Sequence, residues 1–121
     1  MTNVFVYGTL MHGHGNHRLL EHSRFVGKAG SEPVFTMLHM GGCPGIIRSG
    51  KTAIHGEVYE VNEATLRRLD QLEGHPSFYE RQPLSVTTED GQILTVMGYV
   101  LPDGWLGRAS NVVESGMWRE R

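Results

Sequence analysis

Short runs of strand-forming residues, separated by glycine-rich polar segments, dominate the first half of the chain. Residues 4–7 form a compact apolar run that predicts a buried strand. From residue 52 to residue 61, apolar and polar positions alternate, which is the period of a strand with one buried face. Residues 25–29 and 34–40 are also rich in strand-forming side chains. The pattern therefore predicts four strands before residue 62.

The clearest helix signal follows directly. Asn62 is a typical N-cap residue, and Glu63 in the first turn suits the positive end of the helix dipole. Gly74 suits the left-handed backbone that commonly ends a helix. A helix is predicted over residues 63–73.

A hairpin is predicted after the helix. Residues 78–88 and 92–101 both read as strands, and Asp90-Gly91 between them is typical of a type I′ turn. Pro83 has no N–H to donate, so its strand is expected to lie at an edge or to carry a bulge.

Three segments have weaker patterns. Residues 11–17 predict a loop rich in glycine and histidine, where Asn16 is expected to cap a short helix carrying Leu19 and Leu20. The glycines and Pro44 between residues 41 and 50 predict an irregular loop. From Trp105 onward the pattern favours no definite element.

Composition narrows the class of protein. The 121 residues suit one domain, residues 1–121, with a core of its own. A net charge of −2 argues against nucleic-acid partners, and no apolar run is long enough to span a membrane. Cys43 is the single cysteine and the N-terminus does not resemble a signal peptide, so a cytoplasmic location is expected. The oligomeric state is left open.

The histidines and glycines of residues 12–17 could suggest a metal site or a dinucleotide site, but their spacing supports neither. The histidines match no standard zinc pattern, and no cysteine pair accompanies them. Gly13 and Gly15 lack the third glycine and the strand–helix context of a dinucleotide site. We expect neither a metal nor another cofactor.

The first strand ends in a segment suited to binding a polar ligand. Tyr7-Gly8-Thr9-Leu10 interrupts the apolar run with a glycine and then a hydroxyl residue. Backbone N–H groups at such a strand end are free to meet an anionic or carbonyl group. Residues 8–10 are therefore candidate binding residues.

Glu73 is the candidate catalytic residue, because of its place on the predicted helix. At about 100° per residue, it falls between Leu66 and Leu69 on the apolar stripe that Leu72 completes. Desolvation on such a face raises a carboxyl pKa and makes a better base near neutral pH. The alternative is that Glu73, next to Gly74, turns into water.

Other polar residues are weaker candidates for the same site. Asp70 borders the apolar stripe, as a second site carboxylate or as an ion-pair partner of Arg67 or Arg81. Arg81 itself could meet a substrate carboxylate or form a surface ion pair. Tyr7, Tyr79 and Tyr99 could present hydroxyl groups on an apolar wall, or could be ordinary core aromatics.

Several segments together resemble the γ-glutamylcyclotransferase-like proteins, and most of all their γ-glutamylamine cyclotransferase branch. The resemblance lies in VFVYGTL, HGEVYEV, LDQLEGHPSFYER and the closing ESGMW. It implies an α+β fold with a small mixed β-barrel and one or two short helices. It also implies that Tyr7-Gly8-Thr9-Leu10 binds the glutamyl group, with Tyr79 beside Glu73 and Glu73 acting as the general base.

The activity implied is the cyclisation of a γ-glutamyl amine or γ-glutamyl peptide. The α-amine attacks the γ-carbonyl, and 5-oxoproline and an amine are released without a cofactor. The alternative is a module of the same fold that binds a small ligand without turnover. Glu73 favours the enzyme, while the amine that leaves is not indicated by the sequence.

Overall fold

The computed structural model describes residues 1–108 and 111–119, and its centre is a closed five-stranded barrel. The barrel order is β1-β5-β2-β6-β7, and a separate two-stranded sheet holds β3 and β4. The strands are β1 (Thr2–Val6), β2 (Arg24–Ser31), β3 (Phe35–His39), β4 (Pro44–Thr52), β5 (His55–Val61), β6 (Glu80–Thr88) and β7 (Ile93–Val100). The helix α1 covers Glu63–Glu73, and 3₁₀ helices cover His17–Leu20 and Asp103–Arg108.

The barrel is mixed because one of its strand pairs is parallel. β1 runs antiparallel to β5 and closes against β7 in parallel, with Val4 opposite Met97. The predicted α+β fold, a small mixed β-barrel with one or two short helices, is confirmed: the described residues hold the barrel, the helix α1 and two 3₁₀ helices. Within the described residues, no helix is long and apolar enough to cross a membrane.

The strand β1 is apolar on both sides because two core clusters share it. Phe5, Val58 and Leu84 belong to the barrel cluster, which has members from all five barrel strands and from the small sheet. Val4 and Val6 point the other way, into a second cluster under α1. The run at residues 4–7 therefore reads as continuously apolar rather than alternating.

The N-cap and the glycine stop that predicted α1 both act as expected in the structure. The Asn62 side chain accepts a hydrogen bond from the Thr65 N–H at 2.8 Å, and Gly74 ends the helix with φ 68°. The helical stripe is wrong at one position, because Leu72 is 44% exposed. Leu72 lies at the rim of a cavity rather than in the core.

The irregular loop predicted between residues 41 and 50 is confirmed over residues 41–43 and is wrong from Pro44 onward. Pro44–Thr52 is the strand β4, paired with β3 from His39 opposite Pro44 to Phe35 opposite Thr52. Glycine is required in this strand because neighbouring groups leave no room for a side chain. A Cβ on Gly45 would lie 2.2 Å from Leu101 Cδ1. The single strand predicted over residues 52–61 is correspondingly two, with the break before His55.

The hairpin of β6 and β7 is confirmed, but its turn type is not. A type I′ turn needs positive φ at both central residues. Gly91 has φ 88°, whereas no described non-glycine residue has a positive φ. Thr88 and Gln92 instead enclose a three-residue loop, with the Gly91 N–H donating to the Thr88 carbonyl.

The C-terminal segment, for which the sequence predicted no element, forms hydrogen bonds to both the small sheet and the barrel. Val113 N–H donates to the Met37 carbonyl, and His55 N–H donates to the Gly116 carbonyl. Trp118 is then buried in the barrel cluster. Residues 109–110 and 120–121 of this segment lie outside the described residues.

Candidate active site

A cavity of about 180 Å³ opens where β1 ends, between the start of β4 and the last turn of α1. A water occupies about 30 Å³ in the liquid, so the space suits a few waters or one small polar group. Its lining residues are Phe5, Val6, Tyr7, Gly8, Thr9, Leu10, Asn16, Cys43, Pro44, Leu72, Glu73, Phe78, Tyr79 and Tyr99. Seven of the nine candidate residues are thus brought to one place.

The loop after β1 offers unused hydrogen-bond donors. Its carbonyls are occupied: Gly8 O accepts from Met11 N–H, Thr9 O from Asn16 N–H, and Leu10 O contacts the His17 ring. Within the described residues, the N–H groups of residues 8–10 donate to no acceptor. A row of unpaired amides lining a cavity is a site for an anion or an oxyanion.

Gly8 allows this loop to lie close to β4. A Cβ at Gly8 would be only 2.7 Å from the Pro44 ring. Any larger residue there would push Pro44 away, and Pro44 also lines the cavity. The glycine is therefore explained by close approach, since its φ is not positive.

Glu73 is placed by the end of α1. Gly74 turns the chain back, so that the Tyr79 N–H donates to the Glu73 carbonyl at 3.2 Å. The Glu73 side chain is partly buried and faces the cavity, and burial raises its pKa from 4.5 to about 7. Within the described part of the chain, no hydrogen bond or ion pair of this carboxylate offsets that burial.

Three tyrosines surround the carboxylate, but their hydroxyl groups donate elsewhere. Tyr7 donates to the Tyr99 carbonyl at 2.8 Å, and Tyr79 donates to the Pro44 carbonyl at 2.7 Å. Tyr99 donates to Asp70 Oδ1 at 2.7 Å. Burial raises the pKa of all three phenols, so each keeps its proton. The three tyrosines are therefore neutral, hydrogen-bonded parts of the cavity wall.

Asp70 and Arg81 do not line the cavity. Arg81 Nη1 lies 3.5 Å from Asp70 Oδ2, and the two side chains are only 24% and 21% exposed. Arg67 pairs instead with Glu63, at 3.9 Å on the surface. Of the readings left open for Asp70, the ion pair with Arg81 is the one observed, and Asp70 is not a second carboxylate in the cavity.

Asn16 was predicted to cap a helix, and this is wrong. Its side chain makes no cap bond to the 3₁₀ helix His17–Leu20. Instead, Asn16 Nδ2 donates to Thr9 Oγ1 at 2.9 Å and lines the cavity. No sequence signal distinguishes this use of an asparagine from a cap.

The mouth of the cavity is apolar, which the sequence did not indicate. Phe78 is 41% exposed there, beside the exposed Leu72 and partly buried Cys43. The Phe78 ring packs edge-on against Trp105 at 5.5 Å. Among the described residues that line the cavity, Glu73 is the only charged one.

The histidine-rich loop holds no evident metal site. Within residues 1–108 and 111–119, no group of three or more His, Cys, Asp or Glu side chains is placed to hold a metal ion. His12 and His17 pack edge-on at 5.2 Å, and His17 also packs against Tyr59.

Comparison with known proteins assigns the family. Residues 4–120 match the sequence profile of the family described as γ-glutamyl cyclotransferase, AIG2-like. The chain belongs to this family. A Vibrio cholerae protein, provisionally named a γ-glutamylcyclotransferase, is 38% identical over 98% of this chain and 96% of its own length.

Two animal proteins are also similar to this chain, one in sequence and one in structure. A γ-glutamylaminecyclotransferase of Rattus norvegicus is 39% identical over 71% of this chain and 64% of its own length. The crystal structure of an AIG2-like protein from Mus musculus superposes with a TM-score of 0.82 at 29% identity, covering 98% of this chain and 88% of that one. The resemblance read from the sequence is confirmed, and γ-glutamylcyclotransferase-like activity is the function class it supports.

Proposed function

We propose that this chain cyclises a γ-glutamyl amine, releasing 5-oxoproline and the free amine, with Glu73 as general acid and base. The observation that carries the proposal is the shared cavity. Glu73, whose carboxylate is poorly hydrated, and residues 8–10, whose N–H groups have no acceptor within the described residues, line the same small space. One group takes protons and the other receives negative charge.

Glu73 supplies the proton transfer that this reaction needs. The α-ammonium of a bound glutamyl group cannot attack until it loses a proton. A carboxylate with a pKa of about 7 accepts that proton near neutral pH and still returns it readily. The neutral amine nitrogen then bonds to the γ-carbon, the leaving nitrogen takes the first proton from Glu73, and the bond to that nitrogen breaks. The ring nitrogen gives its surplus proton to the regenerated Glu73 carboxylate, which passes it to the released amine.

The cavity holds the two reacting ends together. Both belong to one molecule, so the main task is to fold it into the cyclising shape. The N–H groups of residues 8–10 receive either the γ-oxyanion or the α-carboxylate. No covalent nucleophile is needed for this path.

The lining favours a leaving group attached through an alkyl amine over one attached through an α-amino nitrogen. In a γ-glutamyl peptide such as glutathione, a carbonyl or carboxylate lies next to the scissile nitrogen. Among the described lining residues there is no Lys or Arg to meet such a carboxylate. Leu72 and Phe78 at the mouth suit an alkyl chain instead. The name of the rat relative, a γ-glutamylaminecyclotransferase, agrees with this choice.

The experiment is a direct product assay. The protein is incubated with γ-glutamyl-ε-lysine, other γ-glutamyl amides, γ-glutamyl dipeptides and glutathione, and both 5-oxoproline and the released amine are measured. We expect equimolar products and the highest kcat/KM for γ-glutamyl amines. Saturable binding of these compounds without any 5-oxoproline would make the chain a binding module of the same fold.

A further inference from the structure

The three tyrosine hydroxyls that line the cavity with Glu73 donate their protons to other acceptors. Tyr7 and Tyr79 donate to main-chain carbonyls, whose positions are fixed by the strands. Tyr99 differs, because its acceptor is the side chain of Asp70. A side-chain acceptor is held only as firmly as its own contacts hold it.

Those contacts come from Arg81. Its guanidinium lies 3.5 Å from Asp70 Oδ2, while Asp70 Oδ1 receives the Tyr99 hydroxyl at 2.7 Å. Both charged side chains are about three-quarters buried, so water screens the pair only partly. The two oxygens of Asp70 are thereby divided between Arg81 and Tyr99.

We propose that Asp70 is a positioning residue for the cyclisation: it holds the Tyr99 proton away from Glu73 and so preserves the basicity of that carboxylate. The inference rests on the proposed function of Glu73. A phenol proton donated to Glu73 would stabilise its charged form and weaken it as a base.

The other groups that line the cavity with Glu73 do not take over this role of Asp70. Three titratable residues from other elements line the cavity with it: Tyr7 directly after β1, Tyr79 directly before β6 and Cys43 directly before β4. The hydroxyls of Tyr7 and Tyr79 are committed to carbonyls. Arg81 is the nearby cation, and it lies behind Tyr99 with its charge matched by Asp70.

The substitution Asp70→Asn tests the idea by reversing a hydrogen bond. Arg81 can only donate, so the new amide must turn its oxygen toward Arg81 and its NH₂ toward the Tyr99 oxygen. Tyr99 then becomes the acceptor, and its own proton is released into the cavity that Glu73 also lines. A charge-assisted hydrogen bond of this kind lowers a carboxyl pKa by about one unit.

The readout is the titration of Glu73 itself, followed by ¹³C NMR of glutamate-labelled protein and assigned with Glu73→Gln. We expect a midpoint near 7 in the wild type and a midpoint about one unit lower in Asp70→Asn. Glu63→Gln, which removes an exposed carboxylate of the same helix, should leave the midpoint in place. An unchanged midpoint in folded Asp70→Asn would overturn the proposal.

A double variant separates the hydroxyl from the charge of Arg81. Both Asp70→Asn and its combination with Tyr99→Phe leave the Arg81 charge without Asp70, but only the first has a released phenol proton. The Glu73 midpoint should therefore lie clearly higher in the double variant than in Asp70→Asn alone. Equal midpoints in the two variants would assign the whole shift to the Arg81 charge, and the proposal would then be wrong.

Tyr99→Phe alone keeps the proposal testable even if Asp70→Asn does not fold. Because the wild-type hydroxyl is donated to Asp70, its removal should leave the Glu73 midpoint unchanged. A rise in that midpoint would mean that Tyr99 already donates to Glu73. These titrations need no turnover, so absent 5-oxoproline would count against the proposed function alone. If the enzyme is active, the acid limb of kcat/KM should follow the NMR midpoint in every variant.

Discussion

At the scale of single residues, Glu73 has opposite consequences for chemistry and for stability. Burial without a hydrogen-bond donor raises its pKa to about 7, which suits a base working near neutral pH. The same burial means that ionising Glu73 in the folded protein costs free energy. A residue kept in such a place is more readily explained by chemistry than by folding.

The chemical consequence is tested by Glu73→Gln. The amide fills the same space but cannot accept the ammonium proton, so kcat/KM for 5-oxoproline formation should fall by about 10²–10⁴-fold. Glu63→Gln on the exposed side of the same helix is the matched control and should keep wild-type rates. Turnover close to wild type in Glu73→Gln would remove Glu73 from the mechanism.

The stability consequence has a definite sign. The folded pKa of about 7 lies above the ordinary 4.5, so the folded state binds more protons than the unfolded state between these values. Its contribution is fully present below 4.5 and is lost as pH rises through 7. Glu73→Gln should therefore melt at a higher temperature than wild type at pH 8, and the difference should shrink as the pH falls toward 4.5. A constant difference across this range would show that Glu73 is not buried enough to matter.

The sequence could predict which residues lie together in the site. It could not predict which hydrogen bonds their polar atoms make. The helical wheel indicated Glu73 because helical spacing alone fixes the direction of a side chain. It failed at Leu72, because a wheel does not show where the core ends and a cavity begins. The donor directions of Tyr7, Tyr79 and Tyr99 depend on carbonyls and carboxylates far away in sequence, so no local pattern contains them.

At the scale of elements, α1 is the part whose formation is most local. Its cap, its first-turn acid and its left-handed glycine stop were all readable, and its bounds agree with those predicted. β4 was missed because Pro44, Gly45 and Gly50 suggest a loop when read locally. They are strand residues here because neighbouring side chains and backbone leave no room for larger groups at the two glycines.

Asn62→Ala tests how far α1 depends on its cap. The side chain satisfies the Thr65 N–H at the first turn, and losing such a cap costs about 1 kcal/mol. We expect a lower midpoint in urea with an unchanged slope, measured by circular dichroism. Asn62→Asp keeps the acceptor and should stay near wild type. Because Asn62 and Glu73 lie at opposite ends of the helix, kcat/KM should not change, and a large loss would mean that the cap helps to position the base.

At the scale of the whole molecule, the site depends on how the small sheet meets the barrel. Pro44 begins β4 in the small sheet, yet it lines the cavity and accepts the Tyr79 hydroxyl. The next residue, Gly45, packs against Leu101 after β7, and the Leu101 N–H donates to the Ile46 carbonyl at 2.8 Å. The resemblance to a family indicated the barrel, but the docking of β3 and β4 on it is a long-range packing arrangement that local patterns do not contain.

A double-mutant cycle tests this contact. A Cβ at position 45 would lie 2.2 Å from Leu101 Cδ1, and Leu101 is buried, so Gly45→Ala should cost about 1–3 kcal/mol by overpacking. Leu101→Ala alone should cost about 2–5 kcal/mol by leaving a cavity. In the double variant the new methyl group occupies part of that cavity, so the cost should be clearly less than the sum.

The matched control for this cycle is Gly104→Ala, since Gly104 has open space where a Cβ would stand. It should leave the urea midpoint almost unchanged, and its effect should add simply to that of Leu101→Ala. Gly45→Ala should also lower kcat/KM, because moving β4 displaces Pro44 and with it the carbonyl that holds Tyr79 beside Glu73. Additive costs for Gly45 and Leu101, with unchanged turnover, would mean that the sheet and the barrel meet more loosely than the structure shows and that the cavity does not depend on their contact.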